Sequence, residues 1–254
     1  MVDTKYKHVI ITFFNWARPN WGVSITDEYM DYRFKIFEKV CYPSVLGQDA
    51  DPSSFLWLIT FDPNSEDKYF ERAVKFARAN DPQVIISFSQ DYYTTVIAKY
   101  ILKPEDEVLV TTSLDNDDAL TRYHIRYLQK QFASFDGVRK RVNPMLISFR
   151  YGYKFDLFGR KAYKYGLPNN AFPTMLENVF PGCSGKDLKT AYESNHSYLI
   201  DKYPTIFVEL PQRGWLQGIH AKNICNQISS ADFSNEVSLD IIDEEFATDW
   251  RELK

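Results

Sequence analysis

Four short runs of β-branched and aromatic residues, at positions 8–14, 55–61, 84–88 and 107–114, are spaced through the first half of the chain with helix-like stretches between them. Strands joined by helices pair in parallel, because a parallel neighbour is reached only by a long crossover, and helices supply it. Met30, Phe34, Phe37 and Cys41 recur at helical spacing until Pro43, which is expected to interrupt that helix. Phe70, Val74 and Ala77 mark the next apolar stripe, residues 94–102 a short third helix, and Ile125, Leu128 and Phe132 a fourth. The predicted class is α/β, a Rossmann-type α/β/α sandwich with a mainly parallel sheet. Where a dinucleotide or triphosphate loop would need glycines after the first strand, the chain reads Thr12-Phe13-Phe14-Asn15-Trp16, which disfavours both.

The second half has a different texture. Residues 145–149 and 151–157 are strand-like, Gly159 stands where a hairpin could turn into 160–165, and residues 205–210 and 215–220 read as two late strands. Segments 169–173 and 181–186 are loop-like and suit a substrate cover. The whole of 1–254 is read as one domain, with 229–254 an acidic, weakly patterned segment expected to form a peripheral helix or tail. A formal charge of −4 and a pI near 5.6 argue against a nucleic-acid surface as the main business. Cys41, Cys183 and Cys225 lack metal or disulfide spacing, no apolar run reaches membrane-spanning length, and the amino terminus leads into a strand pattern rather than a signal peptide. A cytoplasmic protein with reduced thiols and no transmembrane segment is expected.

The most informative run is the fourth strand with its carboxyl-terminal extension: an apolar segment ending in Asp115-Asn116-Asp117-Asp118, with a helical pattern expected directly afterwards. Three carboxylates so close repel one another unless a cation or water sits among them. At the carboxyl end of a strand in an α/β sheet, the chemistry that fits is a divalent ion, Mn²⁺ or Mg²⁺, on one carboxylate bridging a nucleotide diphosphate, with another carboxylate orienting ribose or sugar. The plainer reading makes Asp117 or Asp118 a helix N-cap or first-turn acid, which explains one aspartate but not three.

Four segments together carry a family resemblance: Ile11-Thr12-Phe13-Phe14-Asn15, Tyr42-Pro43-Ser44-Val45-Leu46-Gly47-Gln48, Leu114-Asp115-Asn116-Asp117-Asp118-Ala119-Leu120 and Trp215-Leu216-Gln217-Gly218-Ile219-His220-Ala221-Lys222-Asn223. The chain resembles the rhamnosyltransferase family within the GT-A glycosyltransferases, although Phe13 replaces the arginine usual in the first segment. The resemblance implies a GT-A-like fold with residues 1–135 binding a nucleotide sugar and 136–228 binding an acceptor. By position, Thr12 and Asn15 would approach the nucleotide, Asp62 the base, Arg33 the diphosphate, and Asp115 and Asp118 the donor. Asp117 would hold the metal, with His220 completing its shell. Each has an ordinary alternative: turn or cap for the strand-end polar groups, a solvated ion pair for Arg33, a satisfied core or surface histidine for His220. Trp215 is either a sugar platform or a core aromatic.

Direct displacement with inversion needs a general base for the acceptor hydroxyl and neutralisation of the leaving diphosphate. Asp156, Glu177, Asp187, Glu193 and His196 are the candidates. Glu177, expected at the start of a helix, is the first choice and His196 the second, with an ordinary first-turn glutamate the competing explanation of Glu177. The implied activity is metal-dependent transfer of a sugar, rhamnose by resemblance, to a hydroxyl of a glycan; a modified-DNA acceptor stays open. The alternatives are a nucleotidyltransferase, for which Arg18-Pro19-Asn20-Trp21-Gly22 is a poor phosphate loop, and a noncatalytic carbohydrate-binding protein of the same fold.

Overall fold

The structure, a computed structural model, describes residues 4–15, 25–78, 82–210, 213–223 and 226–253. Trp16, the 18–22 segment and Cys225 lie outside the described residues. The four expected strands form as β1 (Tyr6–Phe13), β2 (Leu56–Thr60), β3 (Gln83–Ser87) and β4 (Val108–Ser113). β1 pairs in parallel with β2 on one side and β4 on the other, and β2 continues to β3. Alternation along β1 shows why its centre, Val9-Ile10-Ile11, is wholly apolar. Ile10 packs in the core that contains Phe34 and Phe37, whereas Val9 and Ile11 face the opposite layer with Tyr93 and Ile97, so neither face of the strand meets water.

Helix α1 (Asp27–Ile36) begins at Thr26, whose hydroxyl accepts the Tyr29 N–H, and runs through a π-helical turn at Phe37–Cys41 into α2 (Tyr42–Leu46). The helix thus passes Pro43 instead of stopping there. Pro43 has no N–H for the Lys39 carbonyl, and that carbonyl instead accepts the Asp249 N–H at 2.7 Å. Helix α3 (Asp67–Ala73) presents a different face from the predicted one: Phe70 and Val74 are 50% and 40% exposed, while Tyr69 and Ala73 are buried. The Tyr69 hydroxyl donates to Asp27, which turns that face toward α1. Helix α4 (Tyr93–Val96) continues through a π turn to Ile101, as the 94–102 pattern suggested.

After the aspartates comes a two-residue strand, β5 (Ala119–Leu120), and only then helix α5 (His124–Arg139). The remaining elements are β6 (Met145–Phe149), β7 (Tyr151–Asp156), β8 (Lys161–Gly166), β9 (Thr174–Asn178), α6 (His196–Lys202), β10 (Thr205–Val208), β11 (Trp215–Ile219), β12 (Glu236–Val237) and α7 (Leu239–Glu245). They complete a seven-stranded sheet in the order β10-β6-β9-β4-β1-β2-β3, in which β9 alone runs against its neighbours, and a second sheet ordered β12-β8-β7-β11-β5. This is the expected α/β architecture, a mainly parallel sheet with an elaborated second half.

At the β7–β8 turn it is Arg160, not Gly159, that takes the left-handed backbone (φ 55). A Cβ on Gly159 would lie 2.2 Å from the Asp156 carboxylate that accepts its N–H, so a larger residue there would displace that side chain. The acidic last segment is not peripheral. Ile242, Phe246, Trp250 and Leu253 are buried against Ile36, Val40, Phe155 and Leu216, forming a second core beneath β7 and β11. Its few apolar residues are spaced among acids, most of which are exposed or half-buried. No helix among the described residues is long and apolar enough to cross a membrane.

Candidate active site

The strand order reverses at β1: the chain proceeds from β1 to β2 and β3 on one side and places β4 on the other, so the sheet's switch point lies at the carboxyl ends of β1 and β4, where α/β sheets bind ligands. Two bonds hold the edges together. Leu114 N–H donates to the Ile11 carbonyl at 3.1 Å, and the buried Asn116 side chain donates to the Phe14 carbonyl at 2.5 Å. The aspartates lie on this rim. Asp118 points away from it, its Oδ1 accepting the Gly218 N–H at 2.8 Å, which fastens β5 to β11. Neither Asp117 nor Asp118 caps a helix, because α5 starts six positions beyond Asp118 with Tyr123 at its cap position.

Asp117 is almost fully enclosed. Arg33 Nη1 donates to its Oδ2 at 2.8 Å and Nη2 to its Oδ1 at 3.0 Å, while Nη2 also donates to the Asn116 side-chain oxygen. His220 Nε2 lies 2.8 Å and Asn223 Nδ2 3.2 Å from the same Oδ2. Lys222 N–H donates to His220 Nδ1 at 3.2 Å, so the acceptor nitrogen of that ring is Nδ1 and the proton is on Nε2, aimed at Asp117. Burial works against a charge on Asp117, but Arg33 and His220 outweigh it and hold the carboxyl well below the usual carboxylate range. Burial, with Asp117 adding to it, pushes Asp115 up; burial, with Asp117 and Asp115, pushes Asp118 further up. Environment thereby separates three adjacent carboxyls.

Asp115 is the member open to a ligand. It is half-buried, with the Tyr192 hydroxyl 3.4 Å from its Oδ1. His196 begins α6, which is capped by Asn195, and its Nδ1 is 2.7 Å from the Asn169 carbonyl. A carbonyl only accepts, so Nδ1 carries a proton, and in the neutral ring Nε2 is the nitrogen with the lone pair. On the other flank, a cleft of about 670 Å³ beside His220 is lined by Tyr32, Asp156, Phe158, Asn223 and Gln227.

The remaining predicted residues make contacts within the fold. Thr12 is buried and accepts the Trp57 indole N–H at 3.0 Å. Asn15 accepts the Asp62 N–H and donates to Ser65, tying β1 to the turn after β2, where the Asp62 carboxylate accepts from Asn64. Glu177 lies inside β9, not at a helix start, and pairs with Leu109 near the opposite end of β4 from the aspartates. Its carboxylate accepts the Lys189 and Thr190 N–H groups at 2.8 and 2.9 Å, so it folds a loop and cannot reach the rim. Trp215 is core: it stacks on Phe172 at 5.1 Å and donates to the Phe149 carbonyl.

A carboxylate oxygen and an imidazole nitrogen are the right chemistry for Mn²⁺ or Mg²⁺, yet as arranged Asp117 and His220 do not fit one. Both Asp117 oxygens are engaged by a guanidinium, and His220 presents a proton where a ligand needs a lone pair. Among the described residues no group of three or more metal-ligating side chains converges. Asn116, Tyr192 and Asn169 were not foreseen as site residues. Asn116 is an ordinary amide between two acids, and Tyr192 and Asn169 come from loops whose approach to the rim is set only by folding.

Residues 23–232 match the family described as "Putative rhamnosyl transferase". The chain belongs to that family. No curated protein matches it. Among solved structures it is similar to Staphylococcus aureus TarS 1-349 in complex with UDP-GlcNAc, at 16% identity and a TM-score of 0.44, covering 91% of this chain and 63% of that one. The glycosyltransferase GlyE of Streptococcus pneumoniae TIGR4 is similar at 12% identity and a TM-score of 0.39, covering 89% of this chain and 57% of that one. The chain therefore spans about three fifths of the TarS structure's length, and likenesses this distant speak to neither substrate nor mechanism. It is the rhamnosyl transferase family match that gives the rim its context.

Proposed function

We propose that this rhamnosyl transferase family member transfers a sugar, rhamnose being the family-based choice, from a nucleotide-sugar donor to a hydroxyl acceptor at the β1–β4 rim. The observation that carries the reading is the Asp115-x-Asp117 pair at the sheet's switch point in a chain matched to the family over residues 23–232. Asp115 orients the donor's ribose or sugar through its free lone pairs. The mechanism is inverting displacement: the acceptor oxygen attacks the anomeric carbon, the bond to the diphosphate breaks, and His196 Nε2 takes the hydroxyl proton. His196 replaces Glu177 as first choice for this base because Asn169 holds its Nδ1 and Glu177 is tied into the β9 loop contacts away from the rim. The cleft beside His220, with Tyr32, Phe158 and side-chain amides, offers the mixed aromatic and polar lining that a carbohydrate takes. A glycan acceptor accords with the net negative charge, and the unpaired Cys41 and Cys183 accord with a cytoplasmic setting.

The test is a thermal-shift and turnover panel of nucleoside diphosphates and nucleotide sugars, including rhamnosyl donors and UDP-GlcNAc, the ligand of the TarS complex. At least one nucleotide should raise the melting temperature by several degrees, and its sugar conjugate should be hydrolysed slowly without acceptor. Stabilisation by free sugars and by no nucleotide would replace transfer with noncatalytic carbohydrate binding.

A further inference from the structure

The rim poses an electrostatic problem. Asp115, Asp117 and Asp118 occupy four consecutive positions with Asn116, are half-buried to buried, and need a positive partner. One is already built in. The Arg33 side chain, 12% exposed, reaches from α1 and lays its fork across both Asp117 oxygens. Asn116 is shaped to keep it there: its side-chain oxygen accepts from Arg33 Nη2 while its nitrogen is anchored to the Phe14 carbonyl. His220 adds the complementary detail, since the Lys222 N–H fixes its ring with the Nε2 proton toward Asp117. Among the described residues, every side chain hydrogen-bonded to Asp117 is a donor, the arrangement that suits a carboxylate paired with a guanidinium rather than one shared with a metal.

We propose that Arg33 is the resident cation of this site, occupying the seat on Asp117 that a divalent ion would take, so that a metal enters only when the guanidinium leaves. The inference rests on the reading of the β1–β4 rim as the donor site, but concerns which cation that rim holds before any donor arrives. Arg33 and a divalent ion compete for Asp117 because they would use the same carboxylate oxygens and repel one another as like charges. Removing Arg33 leaves the carboxylate without its fork and frees the Asp117 oxygens beside His220, whose Nε2 proton would be surrendered on ligation.

The experiment uses Mn²⁺ alone, followed by the loss of the free-ion electron paramagnetic resonance signal, with the full chain and no nucleotide or sugar present. Arg33→Gln should bind one Mn²⁺ at least tenfold more tightly than the wild type, and adding Asp117→Asn to that variant should abolish the gain. Arg33→Lys, which keeps the charge but cannot bridge two oxygens, should show a smaller gain and serves where Arg33→Gln folds poorly. Equal or weaker binding by the variants, absence of binding in all of them, or a gain that survives Asp117→Asn would overturn the proposal. Because no donor is in the tube, these outcomes are separate from failure of the transfer reading, which would show instead as no thermal shift with any nucleotide.

Discussion

Replacing Asp117 by asparagine keeps the shape of the side chain and removes the charge that balances Arg33. The guanidinium is then enclosed without a counter-charge, so Asp117→Asn should cost roughly 3 kcal/mol in a urea titration. Asp118 has the opposite surroundings. Its protein hydrogen bond is the Gly218 N–H, its charge is disfavoured first by burial and then by its neighbours, and an asparagine oxygen can accept the same bond. Asp118→Asn should therefore change stability by about 1 kcal/mol or less. Finding the two substitutions equally damaging would refute this division of labour. For His196 the expected readout is kinetic: His196→Ala should lower transfer by roughly 10²- to 10⁴-fold while nucleotide-induced thermal stabilisation stays within a degree or so of wild type. A parallel loss of nucleotide binding would make His196 a donor contact instead.

At the scale of elements, the closing segment supports the helix that carries Arg33. Asp249 supplies the N–H that Pro43 cannot, and Trp250 packs edge-on against Phe155 at 5.0 Å while donating to Asp243 at 2.7 Å. Arg122, between β5 and α5, donates its N–H and side chain to carbonyls of the Asp243–Phe246 stretch. Trp250→Ala should accordingly cost about 3–5 kcal/mol, lowering the melting temperature by on the order of 10 °C. A melting point within two degrees of wild type would mean that the segment merely rests on the surface. The helix pattern did announce α1, but its passage through Pro43 depended on a partner more than 200 positions away, which no local periodicity encodes.

For the whole molecule, two enclosed histidines set the acid response. Burial lowers His8 to about 3 and His124 to about 4, so each stays neutral in the folded chain while the unfolded chain takes up a proton near 6.5. Between pH 6.5 and 4 the unfolded state binds more protons at these two sites, and stability falls as pH falls, by up to about 1.4 kcal/mol per unit for each group. Glu177, raised to about 7 by burial, opposes this between 4.5 and 7, because there the folded chain holds the extra proton. The two histidines should outweigh it. Denaturant titrations at pH 6.5, 5.5 and 4.5 should show declining stability, with a shallower decline in His124→Gln. A flat or rising profile would mean that Glu177 dominates.

The sequence by itself determined the sheet and the location of the site. Apolar runs of strand length between helical stretches can bury both faces only as a parallel sheet, and a cluster of acids at the end of the fourth run can lie only on its rim. It did not determine which acid does what, because Asp115, Asp117 and Asp118 are the same residue type and differ only in what the fold brings to them: the Tyr192 hydroxyl, the Arg33 and His220 side chains, or the Gly218 amide. It misassigned Glu177 for a related reason, since a glutamate inside a strand and one at a helix start look alike until β9 is paired with β4. The sparse apolar residues of the last segment carried too little periodicity to reveal their burial. Tertiary structure decided these points because charge, tautomer and burial are properties of neighbours, and at this rim the neighbours come from α1, β11, α6 and their adjoining loops.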